Sequence, residues 1–125
     1  MTRSVTLVNR SRDDIIIAEA RWCGSWFCRL RGLTFRRKLP GGKALLLVEG
    51  TQSRSSTSIH MFFVFRDLGV AWIDNMGRVV DRRVARPWRI YVPTAAARYV
   101  LEGEPALLDR VEVGDLVEFR DPTPS

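Results

Sequence analysis

The chain has 125 residues, of which 46% are hydrophobic, so one domain can build a core without disulfides or metals. No stretch reaches the ~18 consecutive apolar residues that a membrane span requires. The N-terminal sequence also lacks the apolar run of a signal peptide, so the expected location is the cytoplasm.

The net charge of +6 is unevenly distributed along the chain. Residues 1–43 contain ten Arg or Lys and three acidic residues, whereas residues 44–125 contain ten and eleven. A basic N-terminal third suggests a nucleic-acid or membrane-surface partner. The skew toward arginine, eighteen Arg against two Lys, also has a simple compositional explanation in a GC-rich coding sequence.

The few potential metal ligands exclude a zinc site of the common kind. Cys23 and Cys28 are five residues apart, and His60 is the single histidine, so four ligands cannot be assembled within the chain. In a helix, a separation of five residues turns the two side chains apart, which disfavours a bridge, so both cysteines are predicted to be reduced and apolar in character. A redox role is the alternative, and the spacing, which is not Cys-x-x-Cys, does not favour it. Gly41-Gly42 lacks the spacing of a phosphate-binding loop, and we expect no cofactor and no metal.

The first half of the chain predicts strands around one helix. Residues 5–8 and 15–20 are β-rich runs that predict a hairpin-like pair. From residue 22 to residue 35, apolar side chains recur at steps of four, four and three, which predicts a helical face. Residues 44–48 predict a buried strand, and the polar residues 49–58 predict a surface loop.

The second half predicts a further series of strands. Residues 59–65, apolar except for His60, and residues 70–73 predict two strands. The turn at 74–78 contains Gly77, which supplies a positive φ, and residues 79–84 predict the return strand. Residues 99–101 and 116–119 predict two more strands, with a helical turn beginning at Pro105 between them. These elements indicate an all-β fold, a sandwich or barrel with one or two short helices. The predicted single domain spans residues 1–121, and residues 122–125 form a frayed tail.

Several of these segments, in this order, resemble the small bacterial and archaeal proteins called domain of unknown function 192, or uncharacterised ACR. The resemblance covers roughly residues 15–120. It rests on the motifs Arg31-Gly32-Leu33-Thr34-Phe35-Arg36, Ser58-Ile59-His60-Met61, Leu68-Gly69-Val70-Ala71-Trp72-Ile73-Asp74, Gly77-Arg78-Val79-Val80, Leu101-Glu102 and Gly114-Asp115. The resemblance implies a single-domain β-sandwich of jelly-roll-like topology, and it implies no activity.

The chain departs from that family's pattern at several polar positions. Family members usually carry methionine where Thr34 stands and an aspartate where Gly69 stands. They commonly carry Trp-Met-Lys-Asn-Thr where His60 to Val64 stand, so Phe62 and Phe63 replace polar residues. A site built from those residues would be altered here.

Candidate catalytic residues centre on His60, whose side chain has an ordinary pKa near neutrality. Asp74 or Asp81, across the hairpin, could serve as its partner carboxylate. The alternative is that His60 packs among Ile59 and Met61 with its nitrogens bound to the backbone.

Candidate binding residues lie in two places. Trp88 and Tyr91 stand in a proline-bounded loop, a location that often carries binding in β-sandwiches. Arg31 and Arg36 stand near tryptophans in the predicted helix, which is typical of phosphate-binding or interfacial surfaces as well as of a solvated helix face.

Three functional hypotheses follow. The leading one is a non-catalytic binding or interaction module that recognises a protein or small-ligand partner through the 49–60 and 87–93 loops. The second is a small hydrolase-like enzyme that uses His60 with a neighbouring carboxylate. The third is weak nucleic-acid binding by the basic N-terminal third.

Overall fold

The computed structural model describes residues 3–24, 44–61 and 66–121, apart from the side chains of Arg3 and His60. In this part of the chain there are nine strands and one 3₁₀ helix. The strands are β1 (Arg3–Asn9), β2 (Asp14–Cys23), β3 (Ala44–Ser53), β4 (Ile59–His60), β5 (Leu68–Ile73), β6 (Val79–Ala85), β7 (Ile90–Tyr91), β8 (Ala97–Gly103) and β9 (Val117–Arg120), and the 3₁₀ helix spans Pro105–Arg110.

Seven strands form one mixed sheet in the order β6-β5-β8-β3-β2-β1-β9, in which β2 and β3 are parallel and the other pairs are antiparallel. The sheet curls until its two edges meet at a bridge between Arg78 and Leu116. The Val117 N–H donates to the Gly77 carbonyl at 2.7 Å beside this bridge. The all-β expectation is confirmed, whereas the jelly-roll arrangement is not.

The curled sheet has a buried cluster on each face, because side chains alternate between the faces of a strand. The inner cluster includes Leu7, Leu46 and Leu101, and the 3₁₀ helix adds Leu107 and Leu108 to it. A second cluster on the other face contains Met61, Leu68, Val70, Trp72 and Val100. Strand β5 is buried along its whole length since both of its faces are covered.

Most of the strands predicted from the sequence are present, several with longer bounds. The strand predicted over 59–65 is shorter, because β4 ends at His60; residues 62–65 lie outside the described residues. The turn at 74–78 has Gly77 at φ +89°, and the 3₁₀ helix begins at Pro105, both as predicted. The helix predicted from residue 22 does not begin there, because Trp22 and Cys23 end strand β2; residues 25–35 lie outside the described residues. The polar loop predicted at 49–58 is shorter than expected, because β3 continues to Ser53.

The prediction of a reduced Cys23 is wrong. Cys23 is fully buried and disulfide-bonded. The expectation that the Cys23 and Cys28 side chains point apart assumes a helix, whereas Cys23 is the last residue of strand β2. Cys28 lies outside the described residues.

Asn9 is the buried polar residue that joins the two ends of the chain. Its Nδ2 donates to the Arg110 carbonyl at 2.9 Å and to Asp115 Oδ2 at 2.7 Å. Its Oδ1 accepts from the backbone N–H groups of Ser11 and Arg12. Asn9 is completely buried, so this amide holds the β1–β2 turn against the turn before β9 with both of its ends bonded.

The same contacts determine the pKa of the Asp115 carboxyl group. Partial burial acts to raise its pKa, but hydrogen bonds from Asn9 and the Glu112 N–H, with the nearby Arg12 charge, outweigh burial and hold the pKa below its ordinary value. Arg12 Nε lies 3.5 Å from Asp115 Oδ2. The basic N-terminal segment is therefore neutralised in part by acidic residues of the C-terminal segment.

We predict that Asn9→Ala lowers the free energy of unfolding by about 3 kcal/mol, because it strips partners from several backbone and carboxylate groups that are shielded from water. Urea unfolding monitored by tryptophan fluorescence measures the change. Asn75→Ala, in an exposed turn, is the control and should stay within about 0.5 kcal/mol of the wild type. Equal effects of the two substitutions would contradict the role given to Asn9.

Candidate functional site

The two segments singled out for binding lie side by side. Strand β4 pairs with β7 in an antiparallel two-stranded sheet, with Ile59 opposite Tyr91. The pairing continues past the strands, since the Met61 N–H donates to the Arg89 carbonyl at 2.7 Å. Residues 54–61 and 87–93 thus form one unit next to the second buried cluster.

This two-stranded unit is tied to the main sheet by hydrogen bonds. Trp72, a completely buried residue of β5, donates from Nε1 to the Thr57 carbonyl at 2.7 Å. Thr57 Oγ1 donates to the Ser53 carbonyl at 2.6 Å, and Arg54 Nε donates to the Pro93 carbonyl at 3.0 Å. The backbone of both segments is therefore fixed in place.

An apolar strip lies on the outer surface of this unit. It consists of Trp88, Ile90 and Val92, whose exposed fractions are 53%, 62% and 45%. Tyr91, between the last two, is half-buried and packs against the second cluster. Alternation along the extended chain thus turns Tyr91 inward and its two neighbours outward.

Trp88 has a backbone conformation that is unfavourable for its residue type. Its φ is +66°, in the left-handed region, which costs an L-residue about 1 kcal/mol or more. Its N–H donates to the Met61 carbonyl at 2.8 Å, which helps to hold this conformation. A strained and exposed tryptophan marks residue 88 as a candidate for function.

Two arginines flank Trp88 in the chain. Arg86 and Arg89 are exposed, and neither forms an ion pair with another residue of the described ranges. Arg83, on β6, is half-exposed, and its Nε lies 3.5 Å from Asp81 Oδ2. The strip therefore has a positively charged border.

The candidate carboxylates are both bound to the backbone. Asp74 Oδ1 accepts from the N–H groups of Met76 and Arg78 and so shapes the β5–β6 turn. Asp81 is buried, with Oδ1 accepting from the Arg82 N–H and Oδ2 accepting from the Thr94 N–H. These hydrogen bonds use one oxygen of Asp74 and both oxygens of Asp81.

His60 itself is placed only by its backbone. It lies in β4 opposite Ile90, and its side chain is outside the described part of the chain. The Tyr91 hydroxyl accepts a hydrogen bond from the Arg86 N–H at 2.8 Å. Catalysis by His60 with Asp74 or Asp81 stays a prediction.

The remaining sequence candidates divide into two groups. Arg31, Arg36, Thr34, Phe62 and Phe63 lie outside the described residues. Gly69 is described, and it packs tightly against the start of the 3₁₀ helix.

A Cβ atom at Gly69 would lie 2.7 Å from the Glu104 carbonyl oxygen and 3.1 Å from the Pro105 Cα. Both neighbours are backbone atoms, so an aspartate there requires the 3₁₀ helix to move.

Glu102 is a buried ionisable residue. Its place at the end of an apolar strand is only a weak sequence signal of this burial. It is 5% exposed and lies between Leu45 of β3 and Val70 of β5. Burial raises its pKa to about 7, with no opposing hydrogen bond or charge. This carboxyl group therefore changes its charge close to neutral pH.

Two hollows are present in the described part of the chain. One, of about 760 Å³, lies between β2 and the 3₁₀ helix and includes Ile15, Ile17 and Leu107. The other, of about 180 Å³, lies beside Asp13, Asp14 and Arg120. Neither contains a residue of the apolar strip. No helix in the described ranges is long and apolar enough to cross a membrane.

We predict that Glu102 makes the protein less stable as pH rises from about 4.5 to about 7. The folded carboxyl group keeps its proton in this range while the unfolded one loses it, so the free energy of unfolding falls by about 3 kcal/mol at this group and then levels off. Urea unfolding at acidic and mildly alkaline pH measures the loss.

Glu102→Gln should remove most of this pH dependence, because the amide has no proton to lose in this range. Asp109→Asn, which changes an exposed carboxylate, is the control and should leave the pH dependence unchanged. The same loss in Glu102→Gln and in the wild type would show that another group is responsible.

Comparison with known proteins gives relatives over most of the chain. A UPF0127 protein from Thermococcus gammatolerans is 36% identical over 115 residues, which cover 90% of this chain and 74% of the relative. The UPF0127 protein of Pyrococcus horikoshii is 35% identical over 115 residues, covering 90% of this chain and 97% of that protein. Both relatives are archaeal.

A solved structure shares the fold. It is that of a candidate transcription regulator from Sinorhizobium meliloti 1021, which superposes with a TM-score of 0.80 over 95% of this chain and 94% of its own, at 21% identity. The family model described as domain of unknown function 192, uncharacterised ACR, matches residues 7–119. That description names no activity, and these comparisons show no catalytic role. The chain belongs to the domain of unknown function 192 family.

Proposed function

We propose that this protein is a non-catalytic binding module that holds a protein partner against the apolar strip. The observation that carries the proposal is the exposure of Trp88, Ile90 and Val92, three large apolar side chains within five residues. Contiguous exposed apolar groups with a polar border are typical of interaction sites, whereas isolated ones are common on any surface.

The support beneath the strip favours recognition over chance exposure. The Thr57 carbonyl is bonded to Trp72 and the Pro93 carbonyl to Arg54, so the backbone beside the strip is held before any partner arrives. A surface that is already ordered loses less entropy on binding. The left-handed conformation of Trp88 also fits a residue kept for contact despite its cost.

A protein partner fits this surface better than a small ligand. Small-molecule sites are concave and enclose most of the ligand. The two described hollows are formed by other residues, around Ile15 and around Asp13. Tryptophan and arginine side chains, both present here, are enriched in the centres of protein interfaces.

The backbone hydrogen bonds of the Asp74 and Asp81 carboxylates support a non-catalytic role. Asp74 and Asp81 each accept two backbone hydrogen bonds, which explains their presence without a reaction. The ion pair of Arg10 with Glu118 similarly gives part of the basic N-terminal third a structural role. The module is proposed to act in the cytoplasm. Cys23 is disulfide-bonded, and disulfides are rare in the cytosol of most organisms, so this bond argues against that compartment.

We predict that the full chain, expressed with a tag in its source cells, elutes from size-exclusion chromatography of the extract as part of a larger complex. Ile90→Ser should shift it to the elution volume of the purified protein, because the substitution removes apolar contact area from an exposed position without disturbing the core.

Val113→Ser is the matched control, since Val113 is 60% exposed but lies in the turn before β9. It should leave the complex intact. Elution of the wild type at the size of the purified protein, or a complex that Ile90→Ser leaves unchanged, would overturn the proposal.

A further inference from the structure

We propose that the partner presents an extended, acidic segment of its chain to the apolar strip. The segment would carry apolar side chains at alternate positions and carboxylates between or beside them. This inference rests on the proposed function, and it adds the chemistry of the partner.

The chain segment that includes the strip carries positive charges alone. Residues 82–101 contain five arginines and no aspartate, glutamate or lysine. The acidic residue that precedes this range, Asp81, is buried and bonded to backbone N–H groups, and Glu102, which follows it, is buried too. Asp67 is an exposed residue that lies near Arg86, because it precedes Leu68, the partner of Ala85, but it forms no ion pair with Arg86 within the described ranges.

The five arginines divide into those that the fold uses and those that it does not. Arg82 donates to the carbonyls of Val111 and Leu108, and Arg98 donates to the Glu49 carbonyl. Arg83 lies near Asp81. The side chains of Arg86 and Arg89, on either side of Trp88, make no hydrogen bond or ion pair with a described residue. Arg86 and Arg89 are therefore the arginines of this segment whose charges a partner can contact.

The spacing of the strip matches an extended chain. Ile90 and Val92 point outward from alternate positions, so their side chains repeat at about 6.6–6.8 Å, the two-residue rise of a strand. An extended partner has the same repeat, and its alternate apolar side chains can contact both residues. The side chains between them point away from the strip. Carboxylates that follow or precede the apolar residues can therefore contact Arg86 and Arg89, which precede Ile90 in the chain.

Two other occupants fit less well. A second copy bound strip to strip would bring its own Arg86 and Arg89 against those of the first, and like charges across an interface are unfavourable. Single-stranded nucleic acid binds through stacking on aromatic rings. Trp88 supplies one ring, but Ile90 and Val92, which are also exposed, supply none.

The test is a selection of displayed random peptides on the immobilised full chain. Selected peptides should be enriched in apolar residues at alternate positions with Asp or Glu beside them. Binding of a selected peptide should weaken at least tenfold in Ile90→Ser. It should weaken about tenfold in the double variant Arg86→Gln/Arg89→Gln and also at higher salt, as expected for exposed charge pairs. Arg21→Gln, which alters an exposed arginine of β2, is the charge control and should bind as the wild type does.

The outcomes separate the two proposals. Peptides that need Ile90 but lack acidic residues, and bind the double arginine variant normally, would overturn the acidic partner while leaving the binding module in place. A selection with no peptide that needs Ile90 would remove the strip as a contact site and the inference with it. Arginine-dependent binding to single-stranded DNA or to phosphatidylglycerol vesicles, with no peptide selected, would also overturn it.

Discussion

The meeting of the two edges of the large sheet is the constraint on which the rest of the fold depends. Strands β6 and β9 are far apart in the sheet order, yet Arg78 and Leu116 form a bridge and the Val117 N–H donates to Gly77. Asn9 fixes the same end of the sheet, because its buried amide bonds to Asp115 and to the end of the 3₁₀ helix. Since an open edge exposes unpaired backbone groups, this closure both protects the sheet and encloses the inner cluster.

Closure also explains where a contact surface can be built. The inner face carries the packed inner cluster, and the apolar strip lies instead on the outer side of the sheet. The two-stranded β4–β7 unit lies against the outer cluster through Ile59, Met61 and Tyr91, and it turns Ile90 and Val92 toward solvent. The fold thus presents apolar groups on a backbone that is anchored from behind.

The sequence predicts the strands and turns better than it predicts the surface. Alternation and turn residues locate most strands, and Gly77 has the positive φ that its turn requires. The role of residues 22 and 23 is mispredicted, because a recurrence at helical spacing outweighed the β character of the strand before it. The exposure of Ile90 could not be predicted, since an apolar residue beside Tyr91 is equally consistent with a core strand. Only the pairing with β4 decides which of the two faces outward.

The central claim is that the apolar strip is covered by a partner in the cell. Hydroxyl-radical footprinting of the full chain, in its source cells and after purification, tests this directly. Trp88 and Ile90 should be oxidised readily in the purified protein and protected in cells, whereas Met76, 79% exposed in the β5–β6 turn, should react equally in both. Equal oxidation of residues 88–92 in cells and in the purified protein would contradict the claim.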